Sequence, residues 1–135
     1  MSSHPYLNIS GLAISAHRGG SFEAPENTLE SFKYALGLGC SYIETDVQLS
    51  ADGIPYIFHD DSLKRLLDRD VMFNSMSSSE IEKLRLFESY SIPTLKMALT
   101  KFPDALFQID LKTDEVAIPA MQVIEELNAF ERVCI

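Results

Sequence analysis

A chain of 135 residues, 46% hydrophobic and 23% charged, carries enough apolar material for the core of one globular domain. Its net charge of −9, with no compensating basic patch, argues against duplex DNA or RNA as a partner and disfavours anionic membrane surfaces. No stretch approaches the roughly eighteen apolar residues of a membrane span, and MSSHPYLNISGLAIS lacks the basic and apolar regions of a leader, so a cytoplasmic protein is expected.

Leu12 to Ala16 is a short apolar run ending in His17-Arg18-Gly19-Gly20, which predicts a strand that delivers polar groups onto a glycine-rich loop. Pro25-Glu26-Asn27-Thr28 announces a helix capped by Asn27 or Thr28. Leu29, Phe32, Ala35 and Leu36 recur at helical spacing, and Gly37 and Gly39 stop it. The next strand carries Glu44 and Asp46 two residues apart, so both carboxylates project from one face while Ile43, Thr45 and Val47 pack on the other. Asp52-Gly53 marks a tight turn, and Ile54 to Phe58 runs back as the second arm of a hairpin. Counting back from that turn sets His59 roughly opposite Glu44 and Thr45.

Beyond His59 the chain is polar and poorly periodic to about Ser78, and Ser79 with Glu82 forms a capping-box match for a short helix. Pro93-Thr94 starts another helix with Leu95, Ala98, Leu99 and Phe102 facing inward. Ala105 to Leu111 is a strand whose Gln108 and Asp110 face away from the helices, with Lys112 on the Asp110 side. Val116 to Phe130 reads as helix with Pro119 in its first turn or kinking it, and Arg132 to Ile135 as a last strand. Cys40 and Cys134 make no CxxC pattern and fall in apolar settings, which predicts buried reduced thiols. Strand and helix alternate four times, giving an α/β fold with a parallel sheet; a (β/α)8 barrel takes eight strands and about 250 residues, and here is half of that.

Polar groups collect where such sheets build their sites. Glu44, Asp46 and Asp110 can converge as three hard oxygen ligands suited to Mg²⁺ or Ca²⁺, the cation balancing their mutual repulsion. His17 and His59 titrate near neutrality, one able to accept a proton and the other to donate one. Arg18 and Lys112 are cations fit to hold a phosphate, although Arg18 could pair with Glu44 or Glu23, and Lys112 with Asp110 or Asp114. Asp60 and Asp61 either support the site or lie in a solvated loop. Glu23 and Glu26, near a helix start, favour its dipole and are assigned no chemistry. A metal, two histidines and two phosphate clamps together describe phosphodiester hydrolysis.

The segments AHRGGSFEAPENTLESF, IETDVQLSADGIPYIFHDDSLKR, IPTLKMAL and FQIDLK resemble, in order and spacing, the successive motifs of the glycerophosphodiester phosphodiesterase family. The resemblance implies a TIM (β/α)8 barrel of the phosphatidylinositol-phosphodiesterase-like type, present for about half its strands as a single domain over residues 1–135 that is incomplete at its C-terminus. It implies metal-dependent cleavage of glycerophosphodiesters to glycerol 3-phosphate and an alcohol. His17 and His59 match the family's acid–base pair, Glu44, Asp46 and Asp110 its metal ligands, and Arg18 and Lys112 its phosphate contacts. Asp110 stands where many members have glutamate, and IDLK resembles the lysophospholipase D-like branch, so lysophospholipids are the alternative substrates. A further alternative is an inactive half-barrel that binds a partner, or itself, through unpaired strand edges; the chain alone is expected to be weakly active or inactive.

Overall fold

The computed structural model describes residues 4–22 and 24–135. Its strands are β1 (Ser15–His17), β2 (Tyr42–Leu49), β3 (Pro55–Ile57), β4 (Leu106–Leu111) and β5 (Val133–Cys134). Helix α1 (Leu29–Gly37) follows β1, α2 (Lys64–Leu67), α3 (Ser78–Ile81) and α4 (Leu95–Lys101) lie between β3 and β4, and α5 (Ala117–Glu126) precedes β5. β1, β2, β4 and β5 run parallel in that spatial order, and β3 folds back antiparallel on β2, pairing Val47 with Ile57. Continuing that register sets Thr45 against His59, as the turn count predicts. Parallel strands joined in sequence by helical crossovers form one wall of a (β/α)8 barrel.

Alternation along β2 sorts the chemistry from the core. Ile43, Thr45 and Val47 are fully buried on the helix side. There Ile43, Val47, Phe107 and Ile109 meet Phe32 of α1 and Leu99 of α4 in the main hydrophobic cluster, and each such side chain contributes roughly 1.5–3 kcal/mol by leaving water. The cap of α1 is Thr28, not Asn27. Thr28 Oγ1 accepts the Ser31 N–H and Ser31 Oγ accepts the Thr28 N–H, a reciprocal cap that leaves Asn27 free for the site.

The stretch after His59 is more ordered than its weak periodicity predicts. It carries α2 and packs its own cluster against the hairpin, with Phe58 stacked on Phe73 at 4.7 Å and Leu63, Ile81 and Leu86 fully buried. The helix cap there is Ser77 with Glu80, two residues before the predicted pair. Overlapping matches in SMSSSEIE are resolved by Asp52 of the hairpin turn, which accepts the Ser78 N–H at 2.8 Å and fixes the start of α3.

At the sheet edges the predicted strands shorten. Leu12 and Ile14 precede β1 and are exposed, since among the described residues nothing pairs with its outer side. α5 ends at Glu126 because the chain turns through left-handed Asn128, which leaves Phe130 half-exposed and off the helix face. Both thiols are free, but the expectation of burial fails: Cys134 is exposed on the edge strand and Cys40 is half-buried. No described helix is long and apolar enough to cross a membrane.

Candidate active site

The alternation that buries Ile43, Thr45 and Val47 turns Glu44, Asp46 and Gln48 to the opposite face of β2. Parallel register then brings His17 of β1 beside Glu44, and Asp110 of β4 beside Asp46. Lys112, just past β4, reaches back over this row. Its ammonium lies 2.9 Å from Asp46 Oδ1 and 2.7 Å from Asp110 Oδ2. Burial pushes the Lys112 pKa down, but the hydrogen bonds to Asp110 and Asp46 outweigh it and hold the group above its ordinary value.

Asp46 is buried and gathers further donors. Asn27 Nδ2 donates to its Oδ2 at 2.9 Å, and Arg18 Nε stands 3.5 Å from the same oxygen without hydrogen-bond geometry. Asn27 is fixed in turn by Thr45 Oγ1, which donates to Asn27 Oδ1 at 2.9 Å. Arg18 and Asn27 both adopt left-handed backbone, at φ 51° and 55°, and the Asn27 N–H donates to the Arg18 carbonyl. Such a conformation costs Arg18 about 1–2 kcal/mol and asparagine less, since Asn visits it more readily, and such residues collect at functional loops. The Arg18 N–H donates to Glu44 Oε2 at 3.0 Å, and His17 Nε2 stands 3.9 Å from that oxygen with most of its ring exposed.

His59 follows β3 and is held from a different side. Its Nδ1 lies 2.6 Å from Asp60 Oδ1, and Arg65 grips the same carboxylate. Arg65 chiefly, with help from His59 and against burial, holds the Asp60 carboxyl down at about 2. An ionised carboxylate can only accept, so neutral His59 carries its proton on Nδ1 and presents Nε2 as the basic nitrogen. Gln48 donates to the carbonyls of His59 and Asp60 and fixes the loop beneath them. Glu26 completes the chain of charges, accepting from both Arg18 and Arg65. Burial raises its pKa, but the two guanidiniums outweigh that and hold it below the ordinary value.

Arg18, Glu44, Asp46, Asp110 and Lys112 thus form one connected set with His17 at its rim. His59 joins it through Asp60, Arg65 and Glu26, and forms no hydrogen bond or ion pair with Glu44 or Asp46. Of the alternative pairings, Lys112 takes Asp110 and not Asp114, and the Arg18 side chain takes Glu26 and Asp46; Glu23 lies outside the described residues. Glu44, Asp46 and Asp110 fit a hard divalent cation in kind, and the Lys112 ammonium already occupies a cation's place between two of them. Among the described residues no three His, Cys, Asp or Glu side chains yet converge on one point, and the counter-charge comes from Lys112 and Arg18.

Asn27, Glu26, Gln48 and Arg65 escape a sequence reading. The alternation of Glu44, Asp46 and Gln48 at every second position could have flagged the glutamine. Nothing local distinguishes Arg65 or Glu26 from solvated charges.

The family model described as glycerophosphoryl diester phosphodiesterase matches residues 17–133. A probable glycerophosphodiester phosphodiesterase 2 of Mycobacterium tuberculosis is 37% identical over 131 residues, covering 96% of this chain and 50% of that protein. The crystal structure of a glycerophosphodiester phosphodiesterase from Agrobacterium tumefaciens matches with a TM-score of 0.84 at 31% identity, over 91% of this chain and 56% of that one. An Oleispira antarctica phosphodiesterase, solved in complex with the product sn-glycerol-3-phosphate, matches with a TM-score of 0.79 at 33% identity, over 85% and 52%. The chain spans about half the length of these relatives.

Proposed function

The chain belongs to the glycerophosphoryl diester phosphodiesterase family, and from that premise we propose that its inner sheet face hydrolyses glycerophosphodiesters to glycerol 3-phosphate and an alcohol. The observation that carries this reading is Arg18 Nε, a buried donor without a hydrogen bond, standing beside the charged Lys112 on a common carboxylate. A buried donor left unpaired costs about 1–3 kcal/mol. A phosphoryl oxygen supplies the missing acceptor, and Lys112 meets the same anion. His17 and His59 act as the acid–base pair, one taking a proton from the attacking water and the other returning one to the departing alkoxide. His59 does so through Nε2, with Asp60 fixing the ring.

Glu44, Asp46 and Asp110 would hold a divalent cation, Mg²⁺ or Ca²⁺, whose contribution when bound is Lewis-acid polarisation of the phosphoryl group. Release of sn-glycerol 3-phosphate from glycerophosphocholine tests the proposal. His17→Ala and His59→Ala should each lower kcat by about 10²- to 10⁴-fold. Turnover that survives chelation, or either histidine variant, would sink it.

A second substrate class is favoured by one feature. A cleft of about 470 Å³ beside Glu26 and Arg65 is lined in part by Phe22, Pro25, Leu66 and Phe87, apolar groups suited to an acyl chain. Turnover of lysophosphatidylcholine above that of glycerophosphocholine selects this reading; the reverse order rejects it.

A further inference from the structure

Arg65 lies on the short helix α2 with its side chain about half exposed. An isolated ion pair at such a position is worth about 0–1 kcal/mol and would carry no inference. Arg65 is not isolated. Its Nε and Nη2 donate to Oδ2 and Oδ1 of Asp60 at 2.7 and 2.9 Å. Its Nη1 and Nη2 donate to Oε1 and Oε2 of Glu26 at 2.7 and 3.0 Å. The planar guanidinium therefore makes a two-pronged contact along two of its edges, a geometry no other side chain can reproduce.

Each of those carboxylates also holds a member of the site, through the oxygen that Arg65 Nη2 reaches. Asp60 Oδ1 meets His59 Nδ1 at 2.6 Å, and Glu26 Oε2 accepts from Arg18 Nη1 at 3.1 Å. Glu26 belongs to the loop after β1 and Asp60 to the loop after β3, so the two connections come from separate parts of the chain. The buried Glu26 cannot turn to water without giving up both arginines.

We infer that Arg65 is a positioning residue that, through Asp60 and Glu26, jointly sets the ring tautomer of His59 and the orientation of the Arg18 guanidinium. It forms no hydrogen bond with either imidazole. Both carboxylates, Glu26 first, hold the Arg65 pKa above its ordinary value against the effect of burial, so the cation persists across the working pH range. Without the fork, Asp60 is free to rotate. His59 then loses the acceptor that keeps its proton on Nδ1, and the population presenting Nε2 as base falls. Lysine at this position keeps the charge but lacks the planar fork, so it cannot grip both oxygens of the two carboxylates at once. The consequence for turnover rests on the phosphodiesterase reading above; the consequence for the two side chains does not.

Arg65→Lys in the full chain tests the inference. Its melting temperature is the folding check, long-range ¹H–¹⁵N correlation of the His59 ring reports the tautomer, and solvent exchange of the Arg18 Nε–H reports the guanidinium. At a pH where the ring is uncharged, His59 of the unsubstituted protein should carry Nδ1–H alone. R65K should show a tautomer mixture, faster Arg18 exchange and a kcat lower by about 10- to 100-fold. Should R65K not fold, Asp60→Asn and Glu26→Gln break the same fork from its two ends and are read by the same signals. A folded variant in which either signal is unchanged overturns the joint role. If both signals move but the unsubstituted chain releases no glycerol 3-phosphate, the phosphodiesterase reading fails and the positioning role stands.

Discussion

Asn27 donates from Nδ2 to Oδ2 of Asp46 at 2.9 Å while its own backbone stands at φ 55°. Two separable costs therefore attach to its replacement. Asn27→Ala removes a buried hydrogen bond to a charged acceptor, about 1.5–3 kcal/mol, and adds about 1–2 kcal/mol for alanine in a left-handed conformation. Asn27→Gly removes the bond and relieves the backbone. Denaturant unfolding should rank the native protein above N27G, and N27G above N27A by about 1 kcal/mol; equal loss in both would mean that the backbone conformation contributes nothing.

The glycine pair after Arg18 offers a second contrast. Gly19 and Gly20 both have left-handed backbone, at φ 77° and 90°, but a Cβ on Gly19 would collide with Ser31 and Phe32, whereas one on Gly20 meets nothing within 4 Å. Gly20→Ala should cost about 1–2 kcal/mol from conformation alone. Gly19→Ala adds an overpacking term of about 1–3 kcal/mol against the first turn of α1. A thermal melt in which G19A is as stable as G20A would refute the close approach of this loop to the helix.

Strand periodicity made much of this site legible before any coordinates. Positions 44, 46, 108 and 110 had to share a face once β2 and β4 were recognised, and the hairpin count placed His59 near Thr45. What periodicity could not supply was the wiring between loops. Arg65 reaches Glu26 and Asp60 only because residues 60–92 pack as a unit around Phe58 and Phe73, and that unit has no repeating pattern to announce it. The capping pair at Ser77 and Glu80 was equally hidden, since its choice over Ser79 and Glu82 is made by Asp52, a residue distant in sequence. Local signals fixed elements and faces, while partners supplied by the tertiary fold fixed the charges.

Asp60 gives the charge network a pH signature. Its carboxyl is held at about 2 in the folded chain against an ordinary 3.8, Arg65 being the main cause. A depressed carboxylate stabilises the fold above the unfolded value, and the gain disappears as pH falls from about 4 toward 2. It is on the order of 1–2 kcal/mol, discounted because the half-exposed Arg65 is screened by solvent. Urea midpoints measured between pH 5 and pH 2 should fall more steeply for the native protein than for Asp60→Asn. Parallel profiles would remove Asp60 from the acid-sensitive groups.

Lys112 provides the sharpest test of how the carboxylates are balanced. Its ammonium sits between Asp46 and Asp110 at 2.9 and 2.7 Å, where it neutralises both and, in the proposed function, also meets the phosphate. These two duties have opposite consequences when the charge is removed. Lys112→Met keeps the length of the side chain but withdraws the proposed phosphate contact, so kcat/KM for glycerophosphocholine should fall by about 10²- to 10³-fold. The same change leaves Asp46 and Asp110 more negative, and a divalent cation should then bind more tightly by calorimetry, since the competing ammonium is gone. Activity lost together with cation binding would instead mean that Lys112 only holds the strand ends in register, and unchanged activity would remove it from the phosphate site.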